Sequence, residues 1–212
     1  LYRALGEPHR LAIVEALRVS DLTPSELSAL THLASNLVAF HLNVLDEAGA
    51  IERRASEGDA RRRYVRLQED VLTVLPATSM LLGEQVLFVC THNSARSQLA
   101  AALWERATGR RARSAGHAPA PTVDRMAVAV AADHGLDLSD ARPQGFDAVA
   151  DVEPDLIVSV CDRVREAGWP FPGPALHWSV PDPVGGGRDR FERAYALLSQ
   201  RVDVLAATVR AA

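Results

Sequence analysis

The chain has no lysine: all 23 of its basic residues are arginine. With abundant alanine, valine, aspartate and glycine, that absence reads as the codon bias of a GC-rich bacterial genome. Cysteine is nearly as scarce, with two in 212 residues. Two thiols far apart in sequence exclude a disulfide framework and point to a reducing cytoplasm. Long hydrophobic runs are missing as well. None approaches the ~20 residues that a membrane helix needs, and no signal-peptide pattern opens the chain, so no membrane partner is expected. Repeats and low-complexity tracts are also lacking. The first residue is Leu1 rather than methionine, so further residues are expected upstream. What remains, with 48% hydrophobic and 24% charged residues, is an ordinary globular composition with room for one large domain or two modest ones. The net charge of −4 says nothing about partners until it is resolved along the chain.

The pattern divides in two. Residues 1–75 read as short helices followed by a hairpin. "LGEPHRLAIVEALR" carries a helical apolar face of Leu5, Leu11, Ile13, Val14 and Leu17. "TPSELSALT" offers Thr23 as N-cap, Pro24 at the first helical position and Glu26 three residues after the cap. "ASNLVAFHLNVLDEAGA" spaces Leu37, Val38, His41, Leu42 and Leu45 for one buried face, with Gly49 as the stop. "IERRA" and "RRRYVRL" then flank a turn at Gly58 and Asp59. Residues 76–84, around Pro76, read as a linker. From residue 85 onward the runs "QVLFVC" and "PDLIVSVC" alternate with helical segments, which implies an α/β domain with a parallel sheet.

The chemistry concentrates between that first strand and the helix after it. Cys90, Thr91, His92, Asn93, Ser94, Ala95, Arg96 and Ser97 form a C-x5-R-S pattern. A loop running from a strand end onto a helix N-terminus turns backbone N–H groups inward and, with the helix dipole, makes an anion site. Arg96 adds a planar fork for two oxygens of a tetrahedral oxyanion. The same positive field favours the Cys90 thiolate, and Ser97 can donate a hydrogen bond to it. A bare C-x5-R would be read as a structural cysteine near a surface arginine. The strand before it, the helix after it and the serine behind Arg96 make it a nucleophile in a cradle.

"FVCTHNSARSQLA" resembles the active-site loop of the low-molecular-weight tyrosine phosphatase fold, and more narrowly that of the arsenate reductases built on it, which read C-T-x-N-S-x-R-S-Q. The resemblance spans about residues 85–212, including "SAGH" at Ser114–His117 and "DLIVSVCD" around Cys161. It implies that Asn93 stabilises the loop and that Asp182, in "HWSVPDPVGG", is the general acid of an Asp-Pro motif. Phosphatases acting on tyrosine usually carry aromatic residues after that motif. "VGGGRDRF" here favours a bare arsenate or phosphate oxyanion. Thioredoxin-coupled relatives resolve the oxidised nucleophile with two further cysteines. Cys161 matches the first, but Gly168 stands at the second position. Either Cys161 attacks the Cys90 adduct, or an external small thiol does. The GC-rich composition makes mycothiol with a mycoredoxin the expected donor ahead of thioredoxin, so the partner is a thiol-redox protein and no tightly bound cofactor is expected. Ala101 occupies a position where some relatives carry a glutamate linked to potassium, so no such site is expected. A phosphatase, or a regulator whose loop only senses an oxyanion, remains open as an alternative.

The first half resembles a winged helix-turn-helix of the ArsR repressor family, carried by "ALGEPHRLAIVEAL", "TPSELSAL", "ASNLVAFHLNVLDEAGAIERR" and "RRRYVRL". The resemblance implies a mostly α domain with a β-hairpin wing that binds a double-stranded DNA operator as a homodimer. Its recognition face would hold Ser35, Asn36, Ala39, Phe40 and Asn43. Arg53, Arg54, Arg61, Arg62, Arg63 and Arg66 form a basic wing suited to phosphates. No cysteine lies in this half, which excludes metalloid sensing by its own thiolates. His9, His32 and His41 are its histidines; His41 fits a packed helix position, and no metal site is expected.

Overall fold

A computed structural model describes residues 1–68, 71, 80–81, 85–151 and 153–210 of the chain. These divide into two compact units, Leu1–Ala77 and Thr78–Ala212.

The first unit contains helices α1 (Tyr2–Leu5), α2 (Pro8–Leu17), α3 (Pro24–Thr31) and α4 (Ser35–Glu47), then strands β1 (Ile51–Ala55) and β2 (Arg63–Leu67). The apolar face expected across residues 5–18 is split between two helices. Pro8 occupies the first helical position of α2, and Glu7 caps it by accepting a hydrogen bond from the Arg10 amide at 2.9 Å. Helix α3 starts with the capping box that the sequence predicts. The Thr23 hydroxyl accepts from the Glu26 amide at 3.2 Å, and the Glu26 carboxylate accepts from the Thr23 amide at 2.7 Å. Residues 32–34 turn the chain into α4, completing a helix-turn-helix. Ile13, Val14 and Leu17 of α2, Leu27 of α3, Val38, Leu42 and Leu45 of α4, and Ile51 and Val65 of the hairpin make one core. Leu37 departs from expectation: it is 45% exposed, because the spacing of Val38, Leu42 and Leu45 turns that face of α4 inward and Leu37 sits beside it.

The hairpin pairs Ile51 with Leu67 through Ala55 with Arg63, in antiparallel register. Its connection is a seven-residue loop rather than a tight turn at Gly58 and Asp59. The Ser56 amide donates to the Arg62 carbonyl at 3.1 Å, and the Ser56 hydroxyl accepts from the amides of Gly58 and Asp59. Leu22 bridges to Val65 with two backbone hydrogen bonds, of 3.1 and 2.8 Å, and so joins the hairpin to the helices. Beside it lies Arg66, which the sequence grouped with the phosphate-facing arginines of the wing. Arg66 is buried, and its Nη2 pairs with the fully buried Asp21 carboxylate at 2.9 Å. It therefore ties the wing to the start of α3 and does not face phosphate.

In the second unit, β4 (Val86–Cys90), β5 (Ala112–Gly116), β6 (Leu156–Ser159) and β7 (Ala175–His177) form a parallel sheet in the order β5-β4-β6-β7. Its helices are α5 (Arg96–Thr108), α6 (Arg125–Asp133), α7 (Asp162–Ala167) and α8 (Arg188–Thr208). Right-handed crossovers put α5, between β4 and β5, and α7, between β6 and β7, on opposite faces, since the two connections run in opposite directions. The gap beyond the ends of β4 and β6 is therefore a topological switch point, where open α/β sheets bind ligands. Phe88, at the centre of β4, packs between Trp104 and Trp178 at ring-centroid distances of 6.4 and 5.9 Å. A short strand, β3 (Met80–Leu81), pairs in parallel with β8 (Val209–Arg210). Two residues of the expected linker thus belong to the second unit. Residue 85 leads into β4, and the rest of residues 76–84 lies outside the described residues.

Removing one partner of a buried ion pair strands the other charge, at a cost of about 3–5 kcal/mol. Arg66 Nη1 also lies 3.4 Å from the half-exposed Glu52 carboxylate, which stays as a weaker partner, so Asp21→Ala is expected to destabilise the first unit by about 2–3 kcal/mol, below a fully stranded charge. Denaturant unfolding followed by a probe in this unit checks it, and a loss below about 1 kcal/mol, the scale of an exposed pair, would contradict the role given to Arg66.

Candidate active site

Strand β4 delivers Cys90 to the switch point, and the chain then wraps through residues 91–95 into the N-terminus of α5 at Arg96. The outer side of this loop is held by the segment after β5. The carbonyls of Cys90, Thr91, His92 and Ser94 accept hydrogen bonds from the amides of His117, Ala118, Ala120 and Asp124, at 3.3, 2.8, 2.9 and 2.8 Å. With those carbonyls taken up outside, the loop is ready to present amides on its concave side, next to the positive end of a thirteen-residue helix.

Asn93 fixes the curvature. Its φ of 48° is one of two positive values at non-glycine positions among the described residues. Its side chain uses every hydrogen-bonding site: Nδ2 donates to the hydroxyls of Ser97 and Ser114 at 2.8 and 2.9 Å, and Oδ1 accepts from the Gln144 amide and Gln98 Nε2 at 2.7 and 3.0 Å. The buried Cys90 Sγ accepts from the Asn93 amide at 3.1 Å and lies 3.0 Å from Ser97 Oγ. Ser97 Oγ accepts from Asn93 Nδ2, so its own proton can go to the sulfur. Thr91 turns its hydroxyl toward Cys161, His92 is exposed, and Ser94 and Ala95 are buried.

Arg96 and Asp182 meet. The guanidinium donates through Nη1 to the Val180 carbonyl at 2.9 Å and pairs through Nη2 with Asp182 Oδ2, also at 2.9 Å. Asp182 Oδ1 accepts from the Val184 amide at 3.2 Å, which holds the Asp-Pro turn. No aromatic residue follows between Pro183 and Arg190.

Cys161 caps α7 from the end of β6, with its Sγ 3.3 Å from the Thr91 hydroxyl. Burial pushes this thiol up; Arg96 pulls the other way and Cys90 adds to the rise. It is thus held as a neutral thiol near the loop. Gly168 ends α7 at φ 80° and ψ 178°, a conformation that L side chains rarely adopt. Below Cys161 runs a buried chain in which Ser159 Oγ lies 3.0 Å from His177 Nδ1, and His177 Nε2 lies 3.1 Å from Asp162 Oδ1. It locks the junction of β6, β7 and α7.

Sequence reasoning missed the supports: Gln98, Ser114, Gly116 and Gln144. The signal for one was present, because "SAGH" places a glycine at the end of β5, opposite Cys90. A Cβ on Gly116 would lie 2.8 Å from both the Asn93 nitrogen and the Thr91 oxygen. Only glycine lets the loop close against this strand.

In the first unit, Ser35, Asn36, Ala39, Phe40 and Asn43 all lie exposed on α4. Arg61, Arg62 and Arg63 are exposed on the hairpin, but Arg61 pairs with Asp59 at 3.0 Å and its hydrogen bonds hold the Asp59 carboxyl below the usual range. Arg53 reaches the Asn43 side chain at 2.7 Å and Asp46 at 3.3 Å.

A cysteine in a strand-to-helix oxyanion loop, an arginine inside it and an Asp-Pro carboxylate on that arginine define a phosphatase-type site. Residues 85–212 match the model of low molecular weight phosphotyrosine protein phosphatases, and residues 7–53 match that of bacterial regulatory proteins of the arsR family. The chain belongs to the low-molecular-weight phosphatase family and carries an arsR-type helix-turn-helix ahead of it. An arsenate reductase of Brevibacillus brevis is 31% identical over 127 residues, covering 58% of this chain and 94% of that relative. The crystal structure of an arsenate reductase from Archaeoglobus fulgidus shares 33% identity with a TM-score of 0.50, over 57% of this chain and 98% of its own. A structure of an arsenate reductase in the oxidised state, 23% identical, superposes with a TM-score of 0.52 over 58% and 97% of the two chains and shares the fold. Among the described residues no helix is long and apolar enough to cross a membrane.

Gly116→Ala is expected to force the loop outward and to weaken binding of inorganic phosphate, measured by calorimetry, by at least about tenfold, or 1.4 kcal/mol. An unchanged affinity would show that the loop does not depend on this approach.

Proposed function

We propose that residues 85–212 reduce arsenate to arsenite with an external thiol, and that residues 1–75 bind duplex DNA as a homodimeric regulator. The observation that carries the first part is Arg96, which follows the Cys90 loop at the start of α5 and whose guanidinium pairs with Asp182, so that nucleophile loop and acid are joined by one side chain. Arsenate binds to the loop amides and Arg96. Cys90 Sγ forms a bond to arsenic while an arsenic–oxygen bond breaks, and Asp182 gives its proton to that oxygen, which leaves as water. Two electrons are still needed. A small thiol attacks arsenic in the adduct and displaces Cys90 as thiolate. A second thiol then attacks the sulfur of the released thiol–arsenate, and as that sulfur–arsenic bond breaks its electron pair passes to arsenic, which departs as arsenite and leaves a disulfide of the two external thiols.

The burial of Cys161 and the upward push on its thiol support an external small thiol as the attacking group. Gly168 supports the same view, since no second cysteine follows to relay an internal disulfide outward. Mycothiol with a mycoredoxin is the donor this reading selects, with thioredoxin as the alternative. The short Asp-Pro loop without aromatic residues supports a bare oxyanion over a phosphotyrosine. On the DNA side, the exposed face of α4 and the exposed Arg62 and Arg63 support a major-groove helix flanked by a phosphate-binding wing.

Purified full chain, supplied in turn with the mycothiol and thioredoxin systems, is expected to turn over arsenate with the former. Asp182→Asn should lower kcat by about 10²–10⁴-fold, the scale of general acid catalysis, while Cys161→Ser leaves turnover in place. Loss of activity in Cys161→Ser would transfer resolution to that residue. Turnover of an aryl phosphate but not of arsenate would make the domain a phosphatase.

Binding to sheared duplex DNA, titrated with salt, tests the wing. The Arg61→Ala, Arg62→Ala, Arg63→Ala triple variant should reduce the slope of log K against log salt by about one for each phosphate that the wing no longer neutralises. Arg61 is expected to contribute least, because Asp59 already neutralises it. An unchanged slope would remove the wing from the interface.

A further inference from the structure

The second helix of the first unit opens with a cluster that the two proposed activities do not use. Glu7 caps α2, His9 lies one residue beyond Pro8, and His41 comes from the middle of α4. Glu7 Oε1 lies 2.7 Å from His9 Nδ1, and Glu7 Oε2 lies 3.5 Å from His41 Nδ1. The two imidazole rings stack, with centroids 5.6 Å apart and planes 25° apart. One donor atom from each residue lies within 4.8 Å of the other two.

Two features set this cluster apart from an ordinary ion pair. First, His41 is 8% exposed, and its Nδ1 has no hydrogen-bond partner among the described residues. A buried polar atom left in that state is costly, and here it is aimed at a carboxylate that already serves His9 and the Arg10 amide. Second, the donor set is mixed and open. Two imidazole nitrogens and one carboxylate oxygen suit zinc, cobalt or nickel, and three protein ligands leave room for water at the fourth position. His9 is half-exposed, so an ion can enter from solvent. Arg10 also approaches the carboxylate, with Nη1 3.9 Å from Glu7 Oε2, but its Nε donates to the Ala4 carbonyl and draws the side chain toward α1.

We propose that Glu7, His9 and His41 bind a single divalent transition-metal ion of the zinc type, clamping the start of α2 to α4. The clamp acts on the helix that bears Ser35, Asn36, Ala39, Phe40 and Asn43. Phe40 is continuous with it, since its ring meets the His41 ring edge-on at 5.4 Å. His32 takes no part; it caps α3 in a left-handed conformation. Spacing alone does not reveal the site, because residues 7, 9 and 41 meet only once α2 and α4 pack.

Cobalt is the probe, because its visible bands report a nitrogen–oxygen site and separate it from thiolate ligation. Full-length protein is expected to take up one Co²⁺ per chain, displaced by Zn²⁺, with bands unchanged in the Cys90→Ser, Cys161→Ser double variant. His9→Ala, at an exposed position, should weaken binding at least about tenfold, since even the loss of an outer partner weakens metal sites on that scale. Glu7→Gln keeps a helix cap and should weaken binding likewise. Zinc should raise the thermal midpoint of the wild-type chain more than that of either variant. Equal affinity in wild type, His9→Ala and Glu7→Gln, bands that vanish with the cysteines, or no uptake at all would each overturn the proposal.

Discussion

The second unit depends on holding one loop of backbone inside out. Residues 91–95 leave a parallel strand and enter a helix with the carbonyls of Thr91, His92 and Ser94 bonded on the outer side to the segment after β5. Asn93 accepts a positive φ, and Gly116 gives up a side chain, so that this wrapping is possible. The nucleophile, the guanidinium and the helix terminus then converge on one point. Cys90 is placed by strand register, Arg96 by the first turn of α5, and Asp182 by an ion pair to Arg96 itself. In the proposed reaction the acid is thus oriented by the same group that binds the oxyanion, and substrate position and proton delivery are coupled through one side chain.

The first unit is organised by a different constraint, the fastening of a two-stranded wing to a small helical core. Two strands alone are marginally stable. Here the Leu22–Val65 bridge and the buried Asp21–Arg66 pair fasten the hairpin to the start of α3. That leaves Arg62 and Arg63 at the far end, exposed to solvent. The arginine deepest in the wing thus carries structure, while those near its tip stay in solvent, as the proposed DNA contact requires.

Much of this was legible in the sequence because the relevant physics is local. Thr23, Pro24 and Glu26 specify a helix start among themselves, and the apolar runs ending at Cys90 and before Cys161 specify buried parallel strands. The C-x5-R-S spacing carries the loop because loop and helix start are consecutive in the chain. The features that stayed hidden are those made by packing between distant segments. Arg66 looks identical to Arg62 and Arg63 until Asp21, 45 residues away, is brought beside it. Gln144, Ser114 and Asn93 meet only when three connections have folded. Glu7, His9 and His41 form a cluster only through the crossing of two helices. Leu37 was misplaced because helical spacing defines a stripe, while its edges are set by neighbours.

The proposed activity stands on thiolate chemistry at Cys90 acting on arsenic. Its most direct test is speciation of arsenic after incubation of arsenate with the purified full chain, mycothiol, mycoredoxin and its reductase, beside the Cys90→Ser variant. Arsenite accumulating with the wild-type protein and staying at the uncatalysed background with the variant is the expected result. Equal arsenite from both, or none from either with any thiol donor, would contradict it.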